Sequence, residues 1–137
     1  MESAQCSGLE LLAWRRRQLL RGGRAVDLDW LLAMEASLSW AELQRLRILP
    51  ESTAALTSTL PQLEKLWGRH LQNHVPLQHL VGRCPWRDLD LRISPAALIP
   101  RQETELLIDF ALDCLRDPQA AGCVSSGRWA DLGTGSG

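Results

Sequence analysis

The sequence has no tyrosine, one phenylalanine and one lysine, Lys65, while tryptophan occurs six times and arginine fills nearly every cationic position. That bias reads as lineage or coding preference and carries no mechanism. The missing patterns are more informative. No two of the four cysteines, Cys6, Cys84, Cys114 and Cys123, are spaced as CxxC. A zinc clip or a dithiol redox motif therefore has no support, no metal is expected, and the thiols should stay reduced. No apolar run approaches the ~20 residues of a membrane-spanning helix. "WRRRQLLRGG" puts charge where a secretion signal needs an unbroken apolar stretch. A net charge of −1 gives no basis for bulk attraction to nucleic acid. These absences lead to the expectation of a cytoplasmic chain with neither a membrane nor a nucleic acid as partner.

Apolar residues make up 45% of the chain and charged residues 23%, which places it among globular rather than disordered sequences. Its length suits one ordinary domain, or one small domain with part of another. Residues 1–75 read as short helices. "SGLE" sets Ser7 three before Glu10 in a capping-box pattern, and the helix that follows should stop at Gly22-Gly23. Asp27 is placed to cap a second helix. "SWAE" repeats the box with Ser39 and Glu42, and Pro50 closes that segment. "TLPQ" supplies a third, from Thr59 and Gln62, with Pro61 in the first turn where its missing N–H is harmless. Beyond it, Leu63, Leu66, Trp67, His70, Leu71 and His74 form one helical stripe. Helices this short must pack on one another. The expectation is an all-α bundle.

The periodicity changes after Val75-Pro76. Trp86 to Ile93 alternates strictly, with Leu89, Leu91 and Ile93 on one face and Asp88, Asp90 and Arg92 on the other, as a half-exposed strand does. "AALIP" could pair with it across a turn at Ser94-Pro95, making residues 84–100 a hairpin. "QETELLIDFALDCLRD" returns to helical spacing, and "RWADL" reads as a short strand running into glycines.

That last run, Asp131-Leu132-Gly133-Thr134-Gly135-Ser136-Gly137, is the most specific local signal. Glycines after a strand allow a tight turn, positive φ and a close backbone approach to a ligand. On the loop alone a methyltransferase, another nucleotide-binding enzyme and a structural turn all stay open. "LIPRQETELLIDFAL" also has a plain reading, because Glu103 and Glu105 near a helix start suit the macrodipole and Pro100 fixes the entry.

Together, "PLQHLVG", "IPRQETE" and "DLGTGSG" resemble the release-factor glutamine methyltransferases, a family of class I S-adenosylmethionine-dependent methyltransferases. Family members methylate the side-chain nitrogen of the Gln in the Gly-Gly-Gln loop of peptide chain release factors. The resemblance is strong from Pro76 to Gly137 and extends over the helical region only as architecture. It implies an α+β chain: an N-terminal helical substrate-recognition bundle (1–75), a β-hairpin connector (76–100) and the start of a Rossmann-like methyltransferase domain (101–137). Gly133, Thr134, Gly135, Ser136 and Gly137 would form the loop beneath the methionine part of S-adenosylmethionine, with Arg101 and Thr104 as neighbours. Release factors would be the protein partners and the enzyme a monomer. His79 stands where the family commonly has tyrosine. The family's Asn-Pro-Pro-Tyr motif, which holds the substrate amide, and its ribose-binding acid do not occur in residues 1–137. No catalytic residue is therefore assigned, and the chain is expected to be an inactive N-terminal fragment. Two alternatives stay open: a glutamine methyltransferase acting on a ribosomal protein, whose family generally reads Pro-Arg-Ser-Pro at Pro100, and a stand-alone helical binding module.

Two further groups have mainly structural readings. His70 and His74 lie one helical turn apart but lack a spaced carboxylate or thiol to complete a metal site. Arg15, Arg16 and Arg17 could meet an acidic partner, though a solvated helix face accounts for them.

Overall fold

The computed structural model describes residues 4–116 and Ala130. It divides into two compact units, Met1–Val81 and Gly82–Gly137. The chain is α+β, and its described residues mix helices with two small antiparallel sheets.

In the first unit the elements run β1 (Ala4–Ser7), α1 (Gly8–Arg21), α2 (Ala25–Ala36), α3 (Trp40–Ile48), β2 (Thr53–Leu56), α4 (Leu60–Asn73) and α5 (Leu77–Val81). Each main helix contributes to one core: Leu11 and Trp14 from α1, Leu28, Leu31 and Leu32 from α2, Leu43 and Leu46 from α3, Leu63 and Trp67 from α4. All are at most 2% exposed, so this small unit has a closed apolar centre.

Helix ends follow the local chemistry in three cases. Ser39 and Glu42 form a complete capping box on α3, and Thr59 and Gln62 form one on α4, which has Pro61 in its first turn. On α1 the Ser7 hydroxyl accepts the Glu10 N–H at 3.2 Å, and Gly22 follows the last turn. Glu10 does not return the bond to Ser7. Its carboxylate lies 3.6 Å from the Cys6 thiol instead.

Three expectations need correction. The first unit is not all-α, because β1 and β2 pair antiparallel with Cys6 opposite Ala54. Ala54 and Leu56 alternate inward, and the pairing continues into α1, whose Gly8 and Leu9 N–H groups donate to the Ser52 and Pro50 carbonyls at 2.8 and 2.9 Å. These bonds satisfy donors that a helix start leaves open. Gly8 is required there, since a Cβ would lie 2.7 Å from the Pro50 oxygen. Next, Asp27 does not cap α2. The helix begins two residues earlier, at Ala25, and Asp27 accepts two hydrogen bonds from the Arg24 guanidinium at 2.8 and 2.9 Å.

The third correction concerns the hairpin. The Trp86–Ile93 stretch is not one strand, and residues 96–100 form none. The strands are β3 (Arg83–Trp86) and β4 (Leu89–Arg92), paired so that Trp86 faces Leu89 across the two-residue turn Arg87-Asp88. The alternation of Leu91 and Ile93 with Arg92 survives in burial, with Leu91 and Arg92 on the return strand and Ile93 just past its end. A 3₁₀ turn (Gln102–Thr104) then leads into α6 (Glu105–Arg116). On α6 Leu106, Leu107, Phe110 and Leu115 are more than half exposed among the described residues. The expected strand in "RWADL" and the glycine run lie outside the described residues.

Candidate functional site

Within the second unit the motif Pro100 to Glu105 forms the entry to α6. Arg101 is the extended residue before the 3₁₀ turn, and its carbonyl accepts the Thr104 N–H at 3.1 Å. No side chain caps this turn. Arg101, Glu103 and Thr104 are exposed, so the motif presents a polar surface.

Its conformation is held from the hairpin. The Trp86 indole N–H donates to the Arg101 carbonyl at 3.2 Å. Arg87 contributes three bonds. Its backbone N–H donates to the Glu105 carboxylate at 3.3 Å, and its guanidinium Nη1 donates to the Glu105 carbonyl at 3.2 Å and to Asp109 Oδ1 at 2.8 Å. The hairpin itself is joined across its strands by an Arg83–Asp90 ion pair. A recess of about 470 Å³ lies at the tip, lined by Arg87, Asp88, Glu105 and Asp109.

Gly133, Thr134, Gly135, Ser136 and Gly137, read as the cofactor loop, lie outside the described residues. The structure therefore brings together Arg101 and Thr104 but gives no distance from either to that loop. Trp86 and Arg87 were missed as supporting residues. No glycine or asparagine marks the turn between them and Leu89, and only a reading that broke the alternating stretch at Arg87-Asp88 could have found it.

In the first unit the arginine run does not form one cationic face. Arg15 is bound to Asp29 and Arg21 to Glu64, while Arg16 and Arg17 are exposed. The two histidines also part company. The His70 ring sits 5.2 Å from that of Trp67, with Nδ1 2.9 Å from the Val75 carbonyl, whereas His74 is an exposed left-handed helix cap. A cavity of about 370 Å³ beside His70 includes Trp30, Pro76 and Leu77 in its lining. Among the described residues no group of three or more His, Cys, Asp or Glu is gathered as a metal site. No helix among them is long and apolar enough to cross a membrane.

Comparison with curated proteins decides the relationship. A protein named release factor glutamine methyltransferase from Prochlorococcus marinus is 54% identical over 131 residues, covering 96% of this chain and 43% of that relative. Over the residues it spans, the chain belongs to the release factor glutamine methyltransferase family. Proteins of the same name from Gloeobacter violaceus and from a Synechocystis species are 40% and 32% identical over 82% and 100% of this chain, covering 36% and 46% of their own lengths. The chain thus spans less than half the length of these relatives. No family profile matches the chain, and no solved structure matches it.

Proposed function

We propose that the protein to which this chain belongs methylates the side-chain nitrogen of the Gln in the Gly-Gly-Gln loop of peptide chain release factors, with S-adenosyl-L-methionine as donor. The observation that carries this reading is the 54% identity to the Prochlorococcus relative over 96% of the chain. We read Gly133–Gly137 as the backbone loop under the methionine part of the cofactor, and Arg101 and Thr104 as its neighbours. When bound, the cofactor supplies an electrophilic sulfonium methyl group.

An amide nitrogen is a weak nucleophile because its lone pair is delocalised into the carbonyl. Most of the barrier must therefore be lowered by holding the nitrogen in line and accepting its N–H groups. None of the described residues is assigned that task. The part proposed for this chain is to bind the cofactor through its glycines, keep the 101–105 turn in place, and recognise the protein substrate through the helical unit. The reading includes action in the cytoplasm as a monomer.

The test uses the Prochlorococcus enzyme with this chain substituted for the matching portion. Labelled S-adenosylmethionine and a purified release factor should give label on the Gly-Gly-Gln glutamine. Gly135→Val should abolish cofactor binding, because a branched side chain would stand where the backbone must approach the ligand. Label on a ribosomal protein instead, with none on the release factor, would move the reading to the sister family.

A further inference from the structure

Among the described residues three other than glycine adopt positive φ: Ser37, His74 and Arg87. Ser37 and His74 each close a helix, where a left-handed residue completes the C-terminal turn. Arg87 closes no helix. At φ +53 it occupies the first position of a two-residue hairpin loop, a place that favours Gly or Asn because a Cβ there crowds the backbone. A strained residue persists where its surroundings fix it, and the observed outlier points to a role for the side chain.

That side chain and its neighbour reach one target. Trp86 holds the Arg101 carbonyl, just before the 3₁₀ turn. Arg87 holds Glu105 through both carboxylate and carbonyl, and Asp109 one turn further along α6. The Arg101–Glu105 turn is thus fastened to the hairpin at both ends, and no side-chain cap fastens it from within. A glycine at position 87 would relieve the backbone but could not supply the guanidinium bonds.

We propose that Arg87 is a positioning residue for methyl transfer: with Trp86 it locks the Arg101–Glu105 turn in one conformation, so that Arg101 and Thr104 are presented in fixed places for the reaction. The role rests on the methyltransferase reading above. Arg87 touches no reacting atom in this scheme and acts through the turn.

Arg87→Gly separates the two effects of the residue, since it removes the side chain while easing the backbone. Arg87→Lys keeps a cation but loses the forked geometry. In the 137-residue chain, hydrogen exchange at residues 102–109 should quicken about tenfold in Arg87→Gly while the β3–β4 amides keep their protection. In the chimeric Prochlorococcus enzyme, the same variant should lower kcat about tenfold with little change in KM for the release factor, because misplacing supporting groups costs rate at constant binding. Arg87→Lys should recover part of kcat. Unchanged exchange in Arg87→Gly overturns the proposal. Faster exchange with unchanged kcat also overturns it, leaving Arg87 a purely structural clamp. A chimera that transfers no label even with Arg87 intact, alongside an active Prochlorococcus enzyme, overturns the methyltransferase reading and this role with it. That failure is told apart from the others by its independence of residue 87.

Discussion

Arg15 on α1 grips Asp29 on α2 with both arms of its guanidinium, Nε to Oδ1 at 2.6 Å and Nη2 to Oδ2 at 2.9 Å. Their side chains are only 14% and 20% exposed, so solvent screens this pair less than an ordinary surface ion pair. Asp29→Ala leaves a mostly buried guanidinium without its acceptor and should cost about 1.5–3 kcal/mol, the range for hydrogen bonds to charged groups. Arg16→Ala, on an exposed residue of the same run, should cost about 0.5 kcal/mol or less. Urea midpoints of the two variants check the contrast, and equal losses would show that the Arg15–Asp29 geometry contributes nothing special.

The helix caps give a graded series. Ser39→Ala and Thr59→Ala each break a complete box and should cost about 1 kcal/mol, whereas Ser7→Ala removes one bond without a return partner and should cost nearer ~0.5 kcal/mol. Thermal denaturation of the three single variants gives the order, and a larger loss for Ser7→Ala than for the other two would contradict it.

The same box on α3 sets an acid response. Glu42 accepts the Ser39 backbone N–H and then its hydroxyl, and these bonds hold its carboxyl below the ordinary 4.5. Asp27 is lowered from 3.8, first by the Arg24 hydrogen bond. A depressed folded value means that the unfolded chain binds protons first as pH falls. The contribution is complete above the ordinary values and lost as pH drops through the folded ones. Denaturation midpoints measured downward from pH 5 should fall, and Glu42→Gln should flatten that limb. An unchanged slope in the variant would remove Glu42 from the account.

How far the sequence revealed these features depends on the range of the interaction. The boxes at Ser39 and Thr59 and the stop at Gly22 are written within three or four residues, and all were legible. β1 and β2 were not, because "AQCS" and "TAAL" carry no run of β-branched residues and Cys6 meets Ala54 only after the intervening helices fold. Asp27 looked like a cap until Arg24 was seen to hold its carboxylate. At the candidate site the helix entry was legible from Pro100 and the acids after it, though not the 3₁₀ turn that precedes α6. Its tethers from Trp86 and Arg87 were hidden, since they depend on a turn made without glycine or asparagine.

Cysteine chemistry should separate by burial. Cys6 is buried, and its thiol is pushed up to about 11 by that burial and then by the Glu10 carboxylate. Cys84 is raised by burial in the same direction, whereas Cys114 is exposed. A thiol reagent at pH 8 should label Cys114 well before Cys6 or Cys84, because the thiolate is the nucleophile. A raised folded value also makes stability complete below the ordinary 9.0 and lost as pH rises toward 11. Cys6→Ala should flatten this alkaline limb. Prompt labelling of Cys6 in the folded chain would show that the β1–β2 pairing opens readily.

The last prediction separates two adjacent glycines. Gly22 and Gly23 both have positive φ, +125° and +85°, so either substitution strains the backbone. Their surroundings differ. A Cβ on Gly22 would find its nearest neighbour, a Leu71 methyl, at 4.0 Å, while one on Gly23 would meet Trp67 Cζ2 at 2.4 Å and Cη2 at 2.8 Å. The Trp67 ring cannot swing aside cheaply. It is fully buried, its indole N–H reaches the Gln18 carbonyl at 3.4 Å, and it stacks at a tilt on His70. Gly22→Ala should therefore cost about 1–3 kcal/mol from strain alone, because φ 125 and ψ −177 lie in a region left almost wholly to glycine. Gly23→Ala adds overpacking worth about 1–3 kcal/mol and should be the more damaging of the pair. Near-ultraviolet circular dichroism should register the second change through the displaced indole and leave the first nearly silent. If Gly22→Ala proved the worse of the two, Trp67 would have to lie elsewhere than against the α1–α2 turn.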